Sequence, residues 1–497
     1  MEIDIANGLP AFTIVGLPDS SVRESAERVR SAIKNSGGTF PLARITVNLA
    51  PADVRKEGAS FDLAIAVGLL SASGQLSIPQ MESCLVIGEL SLDGRLRPVP
   101  GVLSMVDSAK RKGLKQVLLP SENVDEARLI AGMRLIGIDS LKQLLIPGSE
   151  QLFRNALLSA GLKDESAGGS PFRSDVDFAD VRGHFQAKRA LAIAASGMHS
   201  FLFTGPPGSG KTMLIRRLPS ILPPLTDEES LEVTKIYSSA GLIRERSGLV
   251  RERPFRSPHH TVSGGGLVGA GTVPKPGEIS LAHRGVLFLD EIAEFPRHVL
   301  DLLRQPLEDR FVTISRARTT VTFPTHFMLA ASMNPCPCGY YGFPSAAQAC
   351  TCSPLKVRQY RARLSGPILD RIDMQVEVPR IDYGSLGKEA ETGGSSEEMR
   401  KAVETAMRIQ SDRYAGTGIR FNGELSGRLL RDVCRLKPEA ERLMAASFAA
   451  LGLSARAHDR ILKIARTIAD LEQSESIEAP HLAEALQYRS FERRIEA

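Results

Sequence analysis

Phe201-Leu-Phe-Thr-Gly-Pro-Pro-Gly-Ser-Gly-Lys-Thr212 decides how the middle of this chain is read. The apolar run FLFT has strand character, and the loop Gly205, Pro206, Pro207, Gly208, Ser209 and Gly210 follows it. Lys211 and Thr212 then open the helical pattern MLIRRLPSIL. A strand, a Gly-rich loop and a helix in that order make a phosphate cradle. Successive backbone N–H groups surround the phosphates, the Lys reaches the outer ones, and the Thr hydroxyl ligates Mg²⁺. With Lys and Thr both in place, a chance Gly-rich turn is disfavoured, and ATP with Mg²⁺ is the expected ligand.

Some 80 residues further on, Val286-Leu-Phe-Leu-Asp290-Glu291 is an apolar strand ending in two carboxylates. The two play different parts, Asp290 supporting the Mg²⁺ and Glu291 polarising the attacking water. A third strand, HFMLAASMNP, ends at Asn334, where AAA+ proteins carry a polar sensor of the terminal phosphate. Leu369-Asp-Arg371-Ile-Asp offers a cation where a ring neighbour's arginine finger would sit, stabilising charge on the transferred phosphoryl group. Ser454-Ala-Arg456 opens a helix and suits a second sensor carried on a lid. A lone Arg is usually a solvated surface residue; the order of these motifs along the chain is what singles out Arg371 and Arg456.

Working outward, 497 residues are too many for one hydrophobic core, so several domains are expected. Residues 161–178 and 381–397 are rich in Gly, Ser and acidic residues and read as linkers. They divide the chain into an α/β part (1–160), a nucleotide-binding core (179–380) and a helical part (398–497). The first mixes strands (FTIVG, RITVNLA, CLVIGEL, QVLLP) with helical patterns such as Ser21 to Asn35. The last has helical periodicity throughout, in MRKAVETAMRIQ, PEAERLMAASFAALG, AHDRILKIARTIADLE and APHLAEALQYRSFERR, and suits a lid. The expected class is multidomain α/β.

Trp is absent and aromatics are only 5%, which argues against extensive stacking platforms for single strands. A net charge of +5 permits a nucleic-acid partner without requiring one. The most apolar stretch, Leu63 to Leu70, is too short to span a membrane, and MEIDIANGLP lacks the character of a signal peptide. A cytoplasmic protein with no membrane partner is expected.

Four of the six cysteines, Cys336, Cys338, Cys350 and Cys352, fall within 17 residues. Four thiolates satisfy tetrahedral Zn²⁺ in a closed structural site, here an insert spanning 334–354. The C-x-C spacing is tighter than the usual one, and an Fe–S cluster or free thiols are the alternatives. Cys84 and Cys434 read as buried small hydrophobes. Arg310-FVTISRARTTVTFP reads as a β-hairpin with Arg316 and Arg318 at its tip, either DNA-gripping cations or plain exposed turn residues. The Gly-rich stretch from Phe255 to Gly285, with His259 and His260, is a second candidate for lining a pore.

These residues resemble the bacterial ComM/YifB proteins, which are magnesium-chelatase-like. The matching strings are ANGLPAFTIVGLPD, RITVNLAPAD, GPPGSGKT, RSPHHT, PKPGEISLAHRGVLFLDE, NPCPCGYYG and SGPILDRID, and they run through essentially the whole chain. Members carry a further short stretch before the segment that starts here at Met1, so an N-terminal strand is expected to be missing. The resemblance implies a homohexameric ring. It also implies a DNA helicase driving branch migration on branched or single-stranded recombination intermediates in natural transformation. In the related MCM-like and chelatase branch, the hairpin carrying Arg316 and Arg318 projects into the central pore.

The N-terminal part is similar to the Lon protease domain, where a Lys activates a Ser nucleophile. Lys56-Glu-Gly-Ala-Ser60 matches the nucleophile segment, and the stretch Gly88 to Gly101 leads toward the Lys, whose position is taken by Leu103. A Ser without its base is a weak nucleophile, so proteolysis is not expected, and a rim or nucleic-acid guide is. The remaining alternative to a DNA translocase is a chelatase-type remodeller of a protein partner. The resemblance implies that chelatase motors lack the Lon-like domain and the four-Cys insert, which favours the translocase. An interaction-only protein would need a broken ATP site.

Overall fold

The structure, a computed structural model, describes residues 1–52, 56, 58–159, 176–243, 248–271, 274–316, 319–343, 349–381 and 394–489. Its central element is a five-stranded sheet in the order Phe255–Arg256, Val286–Leu289, Met328–Met333, Phe201–Thr204, Met374–Glu377. Every pairing in it is parallel. A parallel sheet covered on both faces needs apolar residues at consecutive positions, which is why VLFL and MLAASM are buried throughout. Alternate residues serve opposite faces. Phe201, Phe203, Phe288 and Ala330 pack with the helix Phe185–Gly197 and the C-terminal helices, whereas Leu202, Leu287, Leu289 and Leu329 pack into a separate cluster.

The structure departs from the sequence reading at three places here. Phe255–Arg256, the first two residues of the Gly-rich stretch, form the edge strand of this sheet and not a loop, with Phe255 tilted against Phe288. The helix after the phosphate loop stops at Arg216 rather than running through MLIRRLPSIL, because Pro219 cannot continue it. Phe178, inside the first Gly/Ser-rich stretch, is fully buried, and its N–H donates to Ser396 Oγ at 2.9 Å.

The hairpin forms as read: Phe311–Arg316 pairs antiparallel with Thr319–Pro324 in the register Arg316↔Thr319. Arg318 lies outside the described residues, as does the side chain of Arg316.

In the N-terminal part, Glu2–Ala6, Arg44–Asn48 and Ala11–Val15 form one sheet. Cys84–Val86, Gln116–Pro120, Arg134–Ile138 and Leu157–Leu158 form another. The apolar stretch Leu63 to Leu70 is a core helix, Asp62–Ala72. Its first residue, the fully buried Asp62, accepts from Arg28 Nε at 2.8 Å, which meets the requirement that a buried charge be paired. Among the described residues, no helix is long and apolar enough to cross a membrane. The C-terminal part folds as the helices Ser396–Arg413, Pro438–Leu451, Ala455–Leu471 and Ala479–Gln487, which share a core with one face of the central sheet.

Candidate functional site

The loop after Phe201–Thr204 is held by backbone proximity. A Cβ on Gly205 would lie 2.1 Å from the carbonyl oxygen of Val378, and Gly210 has φ of +83°. Both positions therefore require glycine. Lys211 is buried and donates from Nζ to the carbonyl oxygens of Gly205 (2.7 Å) and Pro206 (3.0 Å) and to Asn334 Oδ1 (3.3 Å). Burial pushes its pKa down to about 8, with Asp290 and Glu291 pulling the other way. A phosphate can replace those neutral acceptors with negative charge.

Adjacent strands supply the rest, with Leu289 opposite Ala331 in the parallel register. Asp290 follows the first strand and accepts from Thr212 Oγ1 at 2.9 Å, bringing together a hydroxyl and a carboxylate suited to Mg²⁺. Ser332 Oγ also donates to Asp290 and accepts from the backbone N–H of Glu291 at 3.1 Å. Glu291 is exposed and has φ of +51°, a conformation uncommon outside glycine and costly for an ordinary residue. Sequence reasoning missed Ser332. The signal that could have found it was its place two residues before Asn334, on the same side of one strand.

The two arginines stand apart from this cluster. Arg371 donates to the carbonyl oxygen of Pro367 at 2.7 Å and forms an ion pair with Glu308, so its partners belong to its own surface and not to its own phosphate loop. Arg456 is exposed in the first turn of the helix Ala455–Leu471, whose N-cap Ser454 accepts from the N–H of Ala457 at 3.1 Å. Among the described residues, Arg456 has no hydrogen-bond or ion-pair partner.

The four Sγ atoms of Cys336, Cys338, Cys350 and Cys352 lie within 4.8 Å of one another, with Cys336–Cys338 at 3.3 Å, Cys336–Cys350 at 3.7 Å and Cys338–Cys350 at 3.5 Å. A tetrahedral ion with Zn–S bonds of about 2.3 Å needs sulfurs about 3.8 Å apart, so the set fits zinc. Cys336 is buried and accepts from the N–H of Tyr341 at 3.4 Å. Cys434 is buried as expected, whereas Cys84 is only half-buried; burial raises their thiol pKa values to about 12 and about 11.

In the N-terminal part, Ser60 sits half-buried in the short turn Ala59–Phe61. Leu103 is fully buried in the helix Val102–Arg111, and its N–H donates to Glu126 Oε1 at 3.0 Å. His259 is engaged locally, through Nδ1 and Thr261 Oγ1 at 2.9 Å.

The chain is similar to known proteins along its length. Residues 177–386 match the family model described as magnesium chelatase, subunit ChlI. Residues 1–123 match subunit ChlI of Mg-chelatase, and 393–489 match the ChlI C-terminal model. The competence protein ComM of Haemophilus influenzae is 43% identical over 500 residues, covering 100% of this chain and 95% of that protein. YifB of Salmonella typhimurium is 44% identical over 497 residues, covering 99% of this chain and 94% of its own length. Lon protease 2 of Bacillus subtilis is 29% identical over 127 residues, 25% of this chain and 22% of that protein. With relatives of that identity matched from end to end, the chain belongs to the ComM/YifB family of magnesium-chelatase-like AAA+ proteins.

Proposed function

We propose that this chain is an ATPase that works as a homohexameric ring and translocates on DNA, promoting branch migration in homologous recombination and natural transformation. The observation that carries the ATPase part is the convergence of Lys211, Thr212, Asp290, Ser332 and Asn334 at the ends of three neighbouring strands. In this reading Lys211 and the backbone of Gly205 to Gly210 hold the phosphates, and Thr212 and Asp290 hold Mg²⁺. An ion held there would supply positive charge to the phosphates during transfer. Glu291 orients a water against the γ-phosphorus and takes its proton as the bond to the ADP oxygen breaks. Asn334 contacts the terminal phosphate, while Arg371 of one subunit and Arg456 on the helical lid neutralise charge that develops during transfer.

The DNA part is supported by full-length similarity to a competence protein. Arg316 and Arg318 on the hairpin are its proposed phosphate contacts, and the four cysteines are proposed to hold one structural zinc.

The test is ATP turnover of the full chain without DNA, with linear duplex and with a four-way branched duplex. Stimulation greatest with the branched substrate is expected, together with conversion of that substrate into its two exchanged duplexes. The family model's description as a magnesium chelatase favours a second reading, a remodeller of a protein partner. Turnover indifferent to every DNA would favour that reading.

A further inference from the structure

The four-cysteine segment is attached to the nucleotide pocket at three points. Asn334, which accepts from Lys211, is only two residues before Cys336, so the strand that presents the sensor runs straight into the first sulfur. Gly339, whose N–H donates to the carbonyl oxygen of Cys336 at 3.0 Å, is buried against the phosphate loop. A Cβ placed on it would lie 2.4 Å from Pro207 Cδ, and its φ is +88°, so no other residue fits without moving one of the two loops. Arg380 bridges the same pair of loops. Its Nε and one terminal nitrogen donate to the carbonyl oxygen of Pro207 at 3.2 and 3.0 Å, and its guanidinium lies 5.4 Å from the centre of the Tyr340 ring. On the outer side, Arg361 braces the segment by donating to the carbonyl oxygen of Pro335 at 3.2 Å and lying 5.0 Å from the centre of the Tyr341 ring.

We propose that the four-cysteine segment is a strut for the phosphate loop: Gly339, Tyr340 and Arg380 position Pro206-Pro207, so metal occupancy of the cysteines sets nucleotide affinity. The inference rests on the ATP and zinc readings given above. With the sulfurs gathered on one ion, the turn from Cys336 to Tyr340 is fixed, and Gly339 and the Tyr340 ring form a firm backing. With the sulfurs released, four thiols gain conformational freedom and the backing loosens. The loop must then be ordered by the nucleotide itself, which weakens binding. Arg380 acts through Pro207 and is a positioning residue.

The experiment measures zinc content, folding, the dissociation constant of a fluorescent ATP analogue, and KM and kcat separately, all on the full chain. Wild type is compared before and after zinc removal, with the stripped protein returned to magnesium buffer and then reloaded. Stripping is expected to weaken nucleotide binding about tenfold, the scale of losing one charge-assisted hydrogen bond, and reloading to restore it. Gly339→Ala and Arg380→Ala, which leave the sulfurs intact, are expected to retain zinc and raise KM to a similar degree. Their kcat should change about twofold at most, the pattern of lost uniform binding. Arg380→Lys keeps a cation over the Tyr340 ring and is expected to recover part of the affinity, and Tyr340→Phe all of it. Protein purified without metal would remove the zinc reading and the inference with it. Zinc-loaded and stripped protein of equal affinity, or folded, zinc-loaded Gly339→Ala and Arg380→Ala at wild-type affinity, would overturn the strut alone.

Discussion

The nucleotide pocket and the N-terminal part both resemble catalytic domains in the sequence, and only the pocket keeps every polar residue that its pattern expects. In the pocket, Lys211 and Thr212 open the helix after the phosphate loop, Asp290 and Asn334 follow the ends of two strands, and they meet pairwise through hydrogen bonds of 2.9–3.3 Å. In the N-terminal part, Ser60 occupies a short turn, and the position where the Lon resemblance expects a Lys holds Leu103, fully buried. The Lon similarity over 127 residues at 29% identity persists although the position expected to carry the Lys holds Leu103. Packing and reactivity are therefore separable. Buried apolar residues such as Leu103 and Val106 maintain a fold, whereas catalysis depends on a few polar groups that packing does not require.

That contrast breaks most sharply at the pocket. Lys211→Ala is expected to abolish hydrolysis. Glu291→Gln is expected to leave nucleotide binding intact while lowering kcat about a hundredfold or more, since it removes water activation and spares the cradle. Near wild-type turnover by Glu291→Gln would reassign the water-activating residue.

Next in size is the arginine held by Glu308. If Arg371 completes a neighbour's pocket, Arg371→Ala and Lys211→Ala chains are each nearly inactive and recover turnover when mixed, because some interfaces then pair an intact loop with an intact arginine. Normal turnover by Arg371→Ala alone would return it to a surface role. Co-assembled mutants without recovery would count against action between subunits.

A smaller effect follows from the depressed pKa of Lys211. Phosphate favours the ammonium form, which in the free protein is present below about pH 8 and lost above it. Affinity for the ATP analogue should thus be steady from pH 6 to 7.5 and fall as pH rises through 8. The loss should reach about tenfold at pH 9, with proton uptake on binding visible by calorimetry in buffers of different ionisation heat. Affinity unchanged to pH 9 would mean that the ammonium stays charged in the free pocket.

The smallest effect on turnover sits in the other half of the comparison. Ser60→Ala should leave both ATP turnover and peptide stability in its presence unchanged. Leu103→Lys should create no peptidase and should lower the melting temperature of the N-terminal part, a loss of about 3 kcal/mol from placing an amine in an apolar core. Serine-reagent-sensitive peptide cleavage by either wild type or Leu103→Lys would show that this part kept its chemistry.

Much of the pocket was legible because its motifs are contiguous. Gly205 to Thr212 needs only its own backbone to form the cradle, and the carboxylates Asp290 and Glu291 end a recognisably apolar strand. The C-terminal helices were legible from periodicity, although Pro219 shortened the helix after the phosphate loop below what its apolar pattern suggested. Phe255–Arg256 was not legible as a core strand. Two residues carry no periodicity, and their Gly-rich sequel pointed toward a loop.

By itself the sequence determined the phosphate loop, the carboxylate pair, the sensor strand, the gathered cysteines and the lack of a base at Leu103, since each is a matter of residue type at short spacing. Only the tertiary structure decided that Ser332 orients Asp290, that Glu308 holds Arg371, and that Gly339 and Arg380 press the cysteine segment onto Pro207. Arg380 and Pro207 are 173 positions apart, and no local pattern reports that meeting. It arises because the strands ending at Thr204 and Glu377 are neighbours in one parallel sheet, so the residues that follow them emerge at the same edge.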